Sequence, residues 1–363
     1  MCSSDSVFSL SDYGIDTTVR IGSGTVMDEL EVLKGQKIYL AVSRRVFSLR
    51  SDLAERLPRD GSIIIYLVDD GESCKSLSGY GAMIGDLLLH DFPRGGIIAY
   101  IGGGTLGDLS GFVSSTYKRG TGFAAFPTTL LSMVDSSIGG KNALDYDSLK
   151  NAVGTIWNPS RVVIDLDFLD TLPRDELYNG ISEIVKYSIL ADPDLISSAG
   201  FRKLAQRDVS ASADIIERSI HIKSMFLKGD VDDRKGGRIF LNFGHTFGHA
   251  LEAVTHNAIS HGRSVAAGMI FETQLAFDLG LCSETNKNKV VSMVVSSGID
   301  LPGLHGIDPS LMMKYVLNDK KSKEGKLIIP FAVRPGKVDL AMVSPLEFEK
   351  SLMEFMVSGY EQR

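Results

Sequence analysis

The chain has 363 residues, of which 44% are hydrophobic and 23% are charged, and its formal net charge at pH 7 is −7. This length allows two domains with sizeable cores, and the composition is that of an ordinary globular protein. The negative charge does not favour binding to nucleic acid or to a membrane, so any anionic ligand has to be held by local cations.

Cysteine use and the start of the chain predict a cytoplasmic protein. Cys2, Cys74 and Cys282 are odd in number and lack a Cys-x-x-Cys spacing, so neither a disulfide framework nor a thiolate zinc site is indicated. The first residues contain no basic stretch followed by an apolar core, and no run reaches the roughly 18 apolar residues of a membrane-spanning helix.

Along the chain, the first half alternates between strand and helix patterns. Residues 37–42, 62–68, 96–101 and 161–166 are short apolar runs typical of buried parallel strands, and crossover helices are predicted between them. From Leu172 onward the segments are long and helically periodic. We therefore predict a doubly wound, Rossmann-like α/β domain at residues 1–171 and an all-α domain at residues 172–363.

A glycine-rich turn follows the third predicted strand. Residues 102–108 read GGGTLGD and open an apparent helix, so their backbone amides are suited to a pyrophosphate. An ordinary dinucleotide fingerprint does not fit, because the turn follows the third strand rather than the first and no acid lies about 20 residues further on. Polar residues are dense downstream, and Lys141 follows a flexible Ser-Ser-Ile-Gly-Gly segment of the kind that commonly grips an anion.

Four of the seven histidines lie between residues 245 and 261, and three of them, His245, His249 and His261, are candidates for metal binding or proton transfer. His245 and His249 are four residues apart, so on a helix they project from one face. That spacing suits two metal ligands, or one ligand and an acid/base, or two histidines with structural roles. The pattern is not His-Glu-x-x-His, so a metalloprotease would lack its general base.

Motifs along nearly the whole chain resemble those of the 3-dehydroquinate synthases, a family of the sugar phosphate cyclase superfamily. They are Gly71 to Lys75, Gly102 to Asp108, Tyr117 to Gly120, Pro127 to Lys141, Lys150 with Asn151, Glu183 to Lys186, the histidine segment, and Asp319 to Lys321. Their order and spacing make coincidence very improbable.

The resemblance implies two cofactors, NAD and a Zn²⁺ or Co²⁺ ion. The implied metal ligands are Glu183, His245 and His261, which leaves His249 to move protons near the reacting centre. The residues implied to bind NAD are Glu72, Lys75, Gly103, Gly104, Asp108, Thr128, Thr129, Asp135, Lys150, Phe168 and Thr171.

The implied substrate is a phosphorylated sugar acid, 3-deoxy-D-arabino-heptulosonate 7-phosphate, whose two anionic ends require cations. Arg238 and Lys223 best suit its carboxylate, and Arg119, Asn151 and Lys141 its phosphate. The full set implied to bind substrate is Arg119, Lys141, Lys150, Asn151, Lys223, Arg238, Lys320 and Lys321, with one of the last two facing the substrate. The residues implied to be catalytic are His249, Lys141, Asn242, Asp135 and Lys186.

The implied reaction is a step of the shikimate pathway toward aromatic amino acids. Oxidation at C5 by NAD acidifies the C6 proton, phosphate is eliminated, the hydride returns to C5, and an aldol step closes the ring of 3-dehydroquinate. NAD is recycled within each turnover. The resemblance also implies a homodimer.

Two other enzymes with this architecture remain as alternatives. A metal-dependent polyol dehydrogenase would need NAD and a metal but no lysine clamp for phosphate. Another sugar phosphate cyclase would differ at the carboxylate-binding positions, whereas Arg238, Asn242 and His249 stand as in dehydroquinate synthases.

Three positions depart from the family pattern. Arg263 replaces an acid that usually follows His261-Gly262, and the stretch from Lys223 to Arg238 is one residue longer than usual. After the first predicted strand, Ser43 and Arg45 stand where an Asp and an Asn tend to contact the adenosine ribose. An arginine there can attract a 2′-phosphate, but we predict NAD, because Glu72 is retained and a recycled cofactor needs no phosphorylated form.

Overall fold

The structure is a computed structural model that describes residues 5–58, 61–147, 149–318, 322–323 and 325–360. The described chain divides into two compact units. One takes in the residues up to Pro173 together with Arg207–Arg234, and the other takes in Arg174–Gln206 and the residues from Lys235 onward. The chain therefore passes between the units three times, and a single boundary near residue 171 does not describe this division.

Within the described residues, the first unit contains a seven-stranded sheet in the order β1-β2-β9-β6-β5-β3-β4. Its strands are β1 (Ser6–Ser9), β2 (Thr18–Gly22), β3 (Ile38–Ser43), β4 (Ile63–Val68), β5 (Ile97–Gly102), β6 (Gly122–Pro127) and β9 (Arg161–Asp165). Only the β1–β2 pair is antiparallel among these strands. The parallel pairing of the other strands confirms the predicted doubly wound parallel sheet. The apolar run at 38–43 is buried along its whole length, which is typical of a strand covered on both faces.

Helices and one hairpin complete the first unit. The helices are α1 (Thr25–Val32), α2 (Arg44–Leu49), α3 (Ser51–Arg56), α4 (Leu77–Leu89), α5 (Gly104–Thr116) and α8 (Val209–Leu227), and the hairpin pairs β7 (Lys141–Tyr146) with β8 (Leu149–Ile156). Strand β5 lies between β6 and β3. The loops that follow these three parallel strands therefore meet at one edge of the sheet, where ligands of open α/β folds bind.

The second unit is mainly helical. Its helices are α6 (Arg174–Leu190), α7 (Ser198–Ala205), α9 (His245–Val254), α10 (His261–Asp278), α11 (Glu284–Ser296), α12 (Pro309–Asn318) and α13 (Pro345–Ser358). No helix among the described residues of either unit is long and apolar enough to cross a membrane.

A small antiparallel sheet in the second unit departs from the all-α expectation. It is formed by β10 (Ser322–Lys323), β11 (Lys326–Arg334) and β12 (Lys337–Val343). The apolar run of β11 is interrupted by Pro330, which weakens a strand pattern because proline cannot donate to the ladder. Pro335 and Gly336 form the turn between β11 and β12, so the segment is a hairpin rather than a helix.

Helices α9 and α10 lie very close together because glycines replace side chains where they meet. A Cβ atom on Gly268 of α10 would lie 1.9 Å from the carbonyl oxygen of Gly244, and one on Gly248 of α9 would lie 3.1 Å from that of Ser264. Gly244 itself has a φ of +81°, which favours glycine. This close approach brings the first residues of the two helices, His245 and His261, to the same place.

Candidate active site

The three predicted metal ligands lie together in the second unit. Glu183 lies within α6, whereas His245 and His261 are the first residues of α9 and α10. Their potential ligand atoms are all within 4.8 Å of one another. The Nε2 atoms of both imidazoles lie 3.5 Å from Oε1 of Glu183.

Hydrogen bonds at the opposite ring nitrogens orient both imidazoles. Nδ1 of His245 lies 3.1 Å from the carbonyl oxygen of Phe243, and Nδ1 of His261 lies 3.1 Å from Oε1 of Glu252. A proton on each Nδ1 satisfies these acceptors and leaves the Nε2 lone pair directed toward Glu183. Metal-binding histidines are usually held in this way by a carbonyl or carboxylate.

The Glu183 carboxylate provides the test of whether a metal fits. The residue is 0% exposed, and its Oε2 is paired with the ammonium of Lys186, which is 2% exposed. Its Oε1 has no hydrogen-bond partner among the described residues. A buried carboxylate oxygen without a donor is costly, and a divalent cation between it and two Nε2 atoms would remove that cost. One carboxylate and two imidazoles form a suitable set for zinc with coordination positions left for substrate.

The charges around this cluster shift the pKa values in opposite directions. Burial works against ionisation of Glu183, but Lys186 and His261 outweigh it and lower the pKa of Glu183 to about 2. Burial and the positive charge of Lys186 hold the pKa of His245 well below its usual value. Although burial lowers the pKa of His261, Glu183 and Glu252 raise it to about 10. The same negative charge that favours a proton on His261 also favours a metal cation.

His249, Arg238 and Asn242, which were predicted to act in catalysis or to bind substrate, lie in or just before the helix that begins with His245. The ring centroids of His249 and His245 are 5.1 Å apart, and His249 is exposed. Arg238 is buried in the 3₁₀ segment Gly237–Asn242, which ends at the half-buried Asn242. The segment ends three residues before His245, so the chain places Asn242 next to the start of α9.

In the first unit, the glycine turn lies where β5 leads into α5. Gly103 is the N-cap residue of α5 and, having no side chain, does not cap this helix start itself. A Cβ on Gly103 would lie 3.3 Å from Cγ2 of Thr129, and one on Gly104 would lie 2.7 Å from Oγ of Ser136. The turn is therefore pressed against the segment after β6, and its amides are suited to a phosphate group.

Lys75 connects several predicted cofactor residues. Its ammonium is 2.6 Å from Oδ2 of Asp108 and is hydrogen-bonded to Oδ1 of Asn151. Burial raises the pKa of Asp108 to about 6, although Lys75 opposes this rise. Thr105 donates to Glu72 across 3.4 Å. Asn151, predicted to bind substrate, thus lies with residues predicted to bind the cofactor.

Two further ion pairs involve predicted substrate-binding lysines. The ammonium of Lys223 lies 2.5 Å from Oδ1 of Asp135 and 2.7 Å from its carbonyl oxygen. Lys141 is paired with Asp233, which lies in the lengthened stretch between Lys223 and Arg238. Each cation thus has a carboxylate partner within the same unit, which an anionic ligand would have to displace or share.

The other predicted residues are distributed over the first unit. Thr128 is buried after β6, whereas Arg119 is exposed with a φ of +67° and Lys150 is exposed on β8. Phe168 is buried beneath the guanidinium of Arg50, and the hydroxyl of Thr171 donates to the carbonyl oxygen of Phe168. The structure shows no contact that joins Arg119, Lys141 and Asn151, the predicted phosphate-binding group, within the described residues. Asp319, Lys320 and Lys321 lie outside the described residues.

Two departures from the family pattern have local partners. The guanidinium of Arg263 lies 2.8 Å from Oδ2 of Asp300, so the inverted charge is neutralised. At the end of β3, Ser43 donates to Oδ1 of Asp70 across 2.5 Å, and the amide of Arg45 donates to Oδ2 across 3.0 Å. Asp70 follows the neighbouring strand β4, so a carboxylate lies at the end of β3 although Ser43 replaces the acid.

Two carboxylates near the metal cluster, Glu252 and Glu272, were not predicted as site residues from the sequence. Glu252 contacts His261 as described above, and Glu272 of α10 accepts hydrogen bonds from the amides at the start of α9. Glu252 follows His249 by three residues, so it projects from the histidine-bearing face of the helix, and this spacing is a usable signal. Glu272 gave no such signal, because its partners are 25 to 28 residues away in the sequence.

Comparison with known proteins agrees with this arrangement. Residues 65–179 match the model of the 3-dehydroquinate synthase N-terminal domain, and residues 180–322 match that of the C-terminal domain. The chain is 36% identical over 345 residues to a 3-dehydroquinate synthase of Saccharolobus solfataricus, covering 93% of this chain and 96% of that one.

Solved structures of related cyclases share the fold. A 2-epi-5-epi-valiolone synthase from Streptomyces hygroscopicus, solved with NAD⁺ and Zn²⁺, is 25% identical, with a TM-score of 0.83 over 94% of this chain and 97% of that one. A 2-deoxy-scyllo-inosose synthase is 23% identical, with a TM-score of 0.84 over 97% and 100% of the two chains. The family models together cover most of the sequence, and the chain belongs to the 3-dehydroquinate synthase family.

Proposed function

We propose that the protein converts 3-deoxy-D-arabino-heptulosonate 7-phosphate into 3-dehydroquinate and phosphate, as an NAD- and divalent-metal-dependent carbon–oxygen lyase. The observation that carries this proposal is the cluster of Glu183, His245 and His261, in a chain whose relatives are 3-dehydroquinate synthases. An enzyme that had lost this activity would be expected to have lost one of these three side chains.

The chain's own residues supply the binding sites that the reaction needs. Glu183, His245 and His261 would hold a metal, and the amides at Gly103 and Gly104 would hold the NAD pyrophosphate. When bound, the metal polarises a substrate hydroxyl and NAD accepts and returns a hydride. The related valiolone synthase contains NAD⁺ and Zn²⁺, which supports the same two cofactors here.

Two lysines would bind the anionic groups of the substrate, and one histidine would transfer its protons. Lys141 and Lys223 offer ammonium groups to phosphate and carboxylate oxygens, once their partners Asp233 and Asp135 share them. His249 is exposed and lies one helical turn from His245, so its imidazole is placed to hold or release a hydroxyl proton near the metal. Buried Lys186 holds the charge of Glu183 and thereby the form that binds a metal.

Product analysis tests the proposal. Purified protein is incubated with the heptulosonate phosphate, NAD and Zn²⁺, and phosphate, 3-dehydroquinate and NADH are measured together. We expect equal amounts of phosphate and 3-dehydroquinate with no net NADH, because the hydride returns to the substrate within each turnover. Net NADH formation from a polyol would instead support a dehydrogenase, and turnover restricted to a sugar phosphate without a carboxylate would support another cyclase.

We further propose that the enzyme acts in the cytoplasm as a homodimer. The described cysteines, Cys74 and Cys282, are free thiols, which suits a reducing compartment. Light scattering of the purified protein at several concentrations measures its mass directly, and a monomer at all of them would contradict the dimer.

A further inference from the structure

Glu272 is a buried carboxylate that holds the start of a histidine-bearing helix. It is 0% exposed, and it lies on α10. Its Oε2 accepts from the amide of Gly244 at 2.6 Å, and its Oε1 accepts from the amides of Thr246 and Phe247 at 3.1 and 3.4 Å. Helix starts have unpaired amides and a partial positive charge, so this carboxylate stabilises the first turn of α9.

Helix α9 depends on this carboxylate because its own cap residue has no side chain. The N-cap residue is Gly244, whereas N-caps usually supply a side-chain oxygen themselves. A larger residue cannot replace Gly244, because a Cβ there would lie 2.6 Å from Cγ of Met269 and 2.8 Å from the carbonyl oxygen of Val265. The cap is therefore provided by the neighbouring helix.

The spacing along α10 fixes where the carboxylate lies. Gly268 allows α10 to approach Gly244, and Glu272 is one helical turn further along the same face. The turn that Glu272 holds begins with His245, whose Nε2 faces Glu183. A rotation of this turn would move that nitrogen relative to the other two ligand atoms.

The two helices support each other's histidines in a reciprocal way. Glu252 of α9 contacts Nδ1 of His261 at the start of α10, and Glu272 of α10 holds the start of α9 next to His245. The amide of Gly262 is also held, by Oδ1 of Asn179 across 2.7 Å. Both helix starts are thus anchored by side chains from other helices.

We propose that Glu272 is a positioning residue of the metal centre, which fixes His245 by holding the first turn of α9. This inference rests on the proposed function only in taking Glu183, His245 and His261 as metal ligands. The hydrogen bonds of Glu272 described above all go to backbone amides, so it acts on His245 through the backbone of α9. Groups that orient metal ligands in this indirect way typically contribute about 10- to 100-fold to metal affinity.

The test compares two buried carboxylates that cap helices. Glu272→Gln keeps the size of the side chain but removes its charge and one acceptor. The matched control is Asp165→Asn in the first unit, because Asp165 is 1% exposed and accepts from the amides of Gly24 and Val26 at 3.0 and 3.3 Å at the start of α1. Metal-free wild type and both variants are titrated with Zn²⁺ and Co²⁺, and the visible spectrum of bound Co²⁺ reports the ligand geometry.

We expect Glu272→Gln to bind both metals about 10-fold more weakly, with an altered Co²⁺ spectrum. Asp165→Asn should lower the unfolding temperature but leave metal affinity and spectrum unchanged. Wild-type metal affinity and spectrum in Glu272→Gln, with a loss of stability like that of the control, would show that Glu272 is only structural and overturn the proposal.

A measurement on the wild type covers the case in which Glu272→Gln does not fold. Hydrogen exchange at the amides of Gly244, Thr246 and Phe247 is followed without metal, and we expect slow exchange because Glu272 already holds them. Fast exchange that slows only after metal is added would overturn the proposal. Failure of the proposed function is seen separately, as wild type that binds metal but releases no phosphate from the heptulosonate phosphate.

Discussion

At the scale of single residues, the contacts of the two imidazole rings favour metal binding by His261 and proton transfer by His249. Nε2 of His261 lies 3.5 Å from the buried Oε1 of Glu183, and its Nδ1 is held by Glu252. His249 stands one turn beyond His245 and is exposed, which suits a group that exchanges protons with substrate. A ligand and a proton carrier are affected differently by removal of the ring.

Replacing each histidine by alanine separates these roles. We expect His261→Ala to lose most of its bound metal, because one of three ligands is removed. We expect His249→Ala to keep the metal but to lose turnover by about 10²- to 10⁴-fold, the usual contribution of general acid–base catalysis. Metal analysis of both proteins after exhaustive chelation and reloading with Zn²⁺ measures the first effect. Equal loss of metal in the two variants would contradict this division.

Cofactor choice is a second property of individual residues. Asp70 supplies a carboxylate at the end of β3, where its oxygens contact Ser43 and the amide of Arg45. A carboxylate near the adenosine ribose repels a 2′-phosphate. We therefore predict that cofactor-free protein binds NAD more tightly than NADP and that Arg45→Ala leaves this preference in place. Calorimetric titration with both dinucleotides decides the question, and tighter binding of NADP would show that Arg45 sets the specificity.

The sequence allowed the metal ligands to be predicted, but not the residue that holds the first turn of α9 in place. The resemblance named Glu183, His245 and His261, and the structure brings their ligand atoms within 4.8 Å. Glu272 was missed because a buried acid on an apolar helix has no local motif, and the three partners described here are backbone amides. Only the crossing of α9 and α10 brings them together, and sequence periodicity does not specify that crossing.

At the scale of secondary-structure elements, the close contact between α9 and α10 leaves no room for one methyl group. A Cβ on Gly268 would lie 1.9 Å from the carbonyl oxygen of Gly244, whereas a Cβ on Gly85 within α4 has no neighbour within 4 Å. The same substitution should therefore have opposite effects in the two helices, because alanine is intrinsically the better helix former by about 1 kcal/mol.

We predict that Gly268→Ala lowers the free energy of unfolding by about 1 to 3 kcal/mol, as overpacked sites do, and weakens metal binding as α9 is displaced. Gly85→Ala should be neutral or stabilising by up to about 1 kcal/mol. Urea denaturation and Zn²⁺ titration of both variants check this. If Gly268→Ala were as stable as wild type and bound Zn²⁺ equally well, the helix contact would not be as close as described.

The elements of the first unit were predictable because buried parallel strands are continuous apolar runs. The four predicted strands at 37–42, 62–68, 96–101 and 161–166 differ from the observed β3, β4, β5 and β9 by one residue at each shifted end. The sheet formed by β10, β11 and β12 was not predicted, because Pro330 and the Pro335-Gly336 turn conceal β11 and β12 in a region of helical patterns. Local patterns therefore identified the buried parallel strands but not this antiparallel hairpin.

At the scale of the whole molecule, the chain passes between two units rather than forming two successive domains. Residues 207–234 belong with the first unit, although they come after α6, which carries Glu183. Helix α8 places Lys223 next to Asp135, a contact between residues 88 positions apart in the sequence. Hydrophobic periodicity gave the type of α8 but not the unit to which it belongs, because that depends on long-range contacts.

The two units lead to a prediction about where each cofactor slows hydrogen exchange. If NAD binds at Gly103 and Lys75, it should protect amides around the glycine turn and β6 in the first unit. If Zn²⁺ binds Glu183, His245 and His261, it should protect the start of α9 and α10 in the second unit. A ligand that binds only the native state stabilises it by about 2.7 kcal/mol when its concentration is 100 times Kd, so both effects are measurable.

Peptide-resolved hydrogen exchange of the full chain, with each cofactor alone, measures this distribution. The segment 207–234 is the informative one, because a domain boundary near residue 171 would group it with the metal-binding helices, whereas the contacts group it with the sheet. We expect the segment to respond to NAD together with the first unit and to respond little to Zn²⁺, since Lys223 is paired with Asp135 of the first unit. Protection of 207–234 by Zn²⁺ alone would show that α8 follows the metal-binding unit and that the assignment of cofactors to units is wrong.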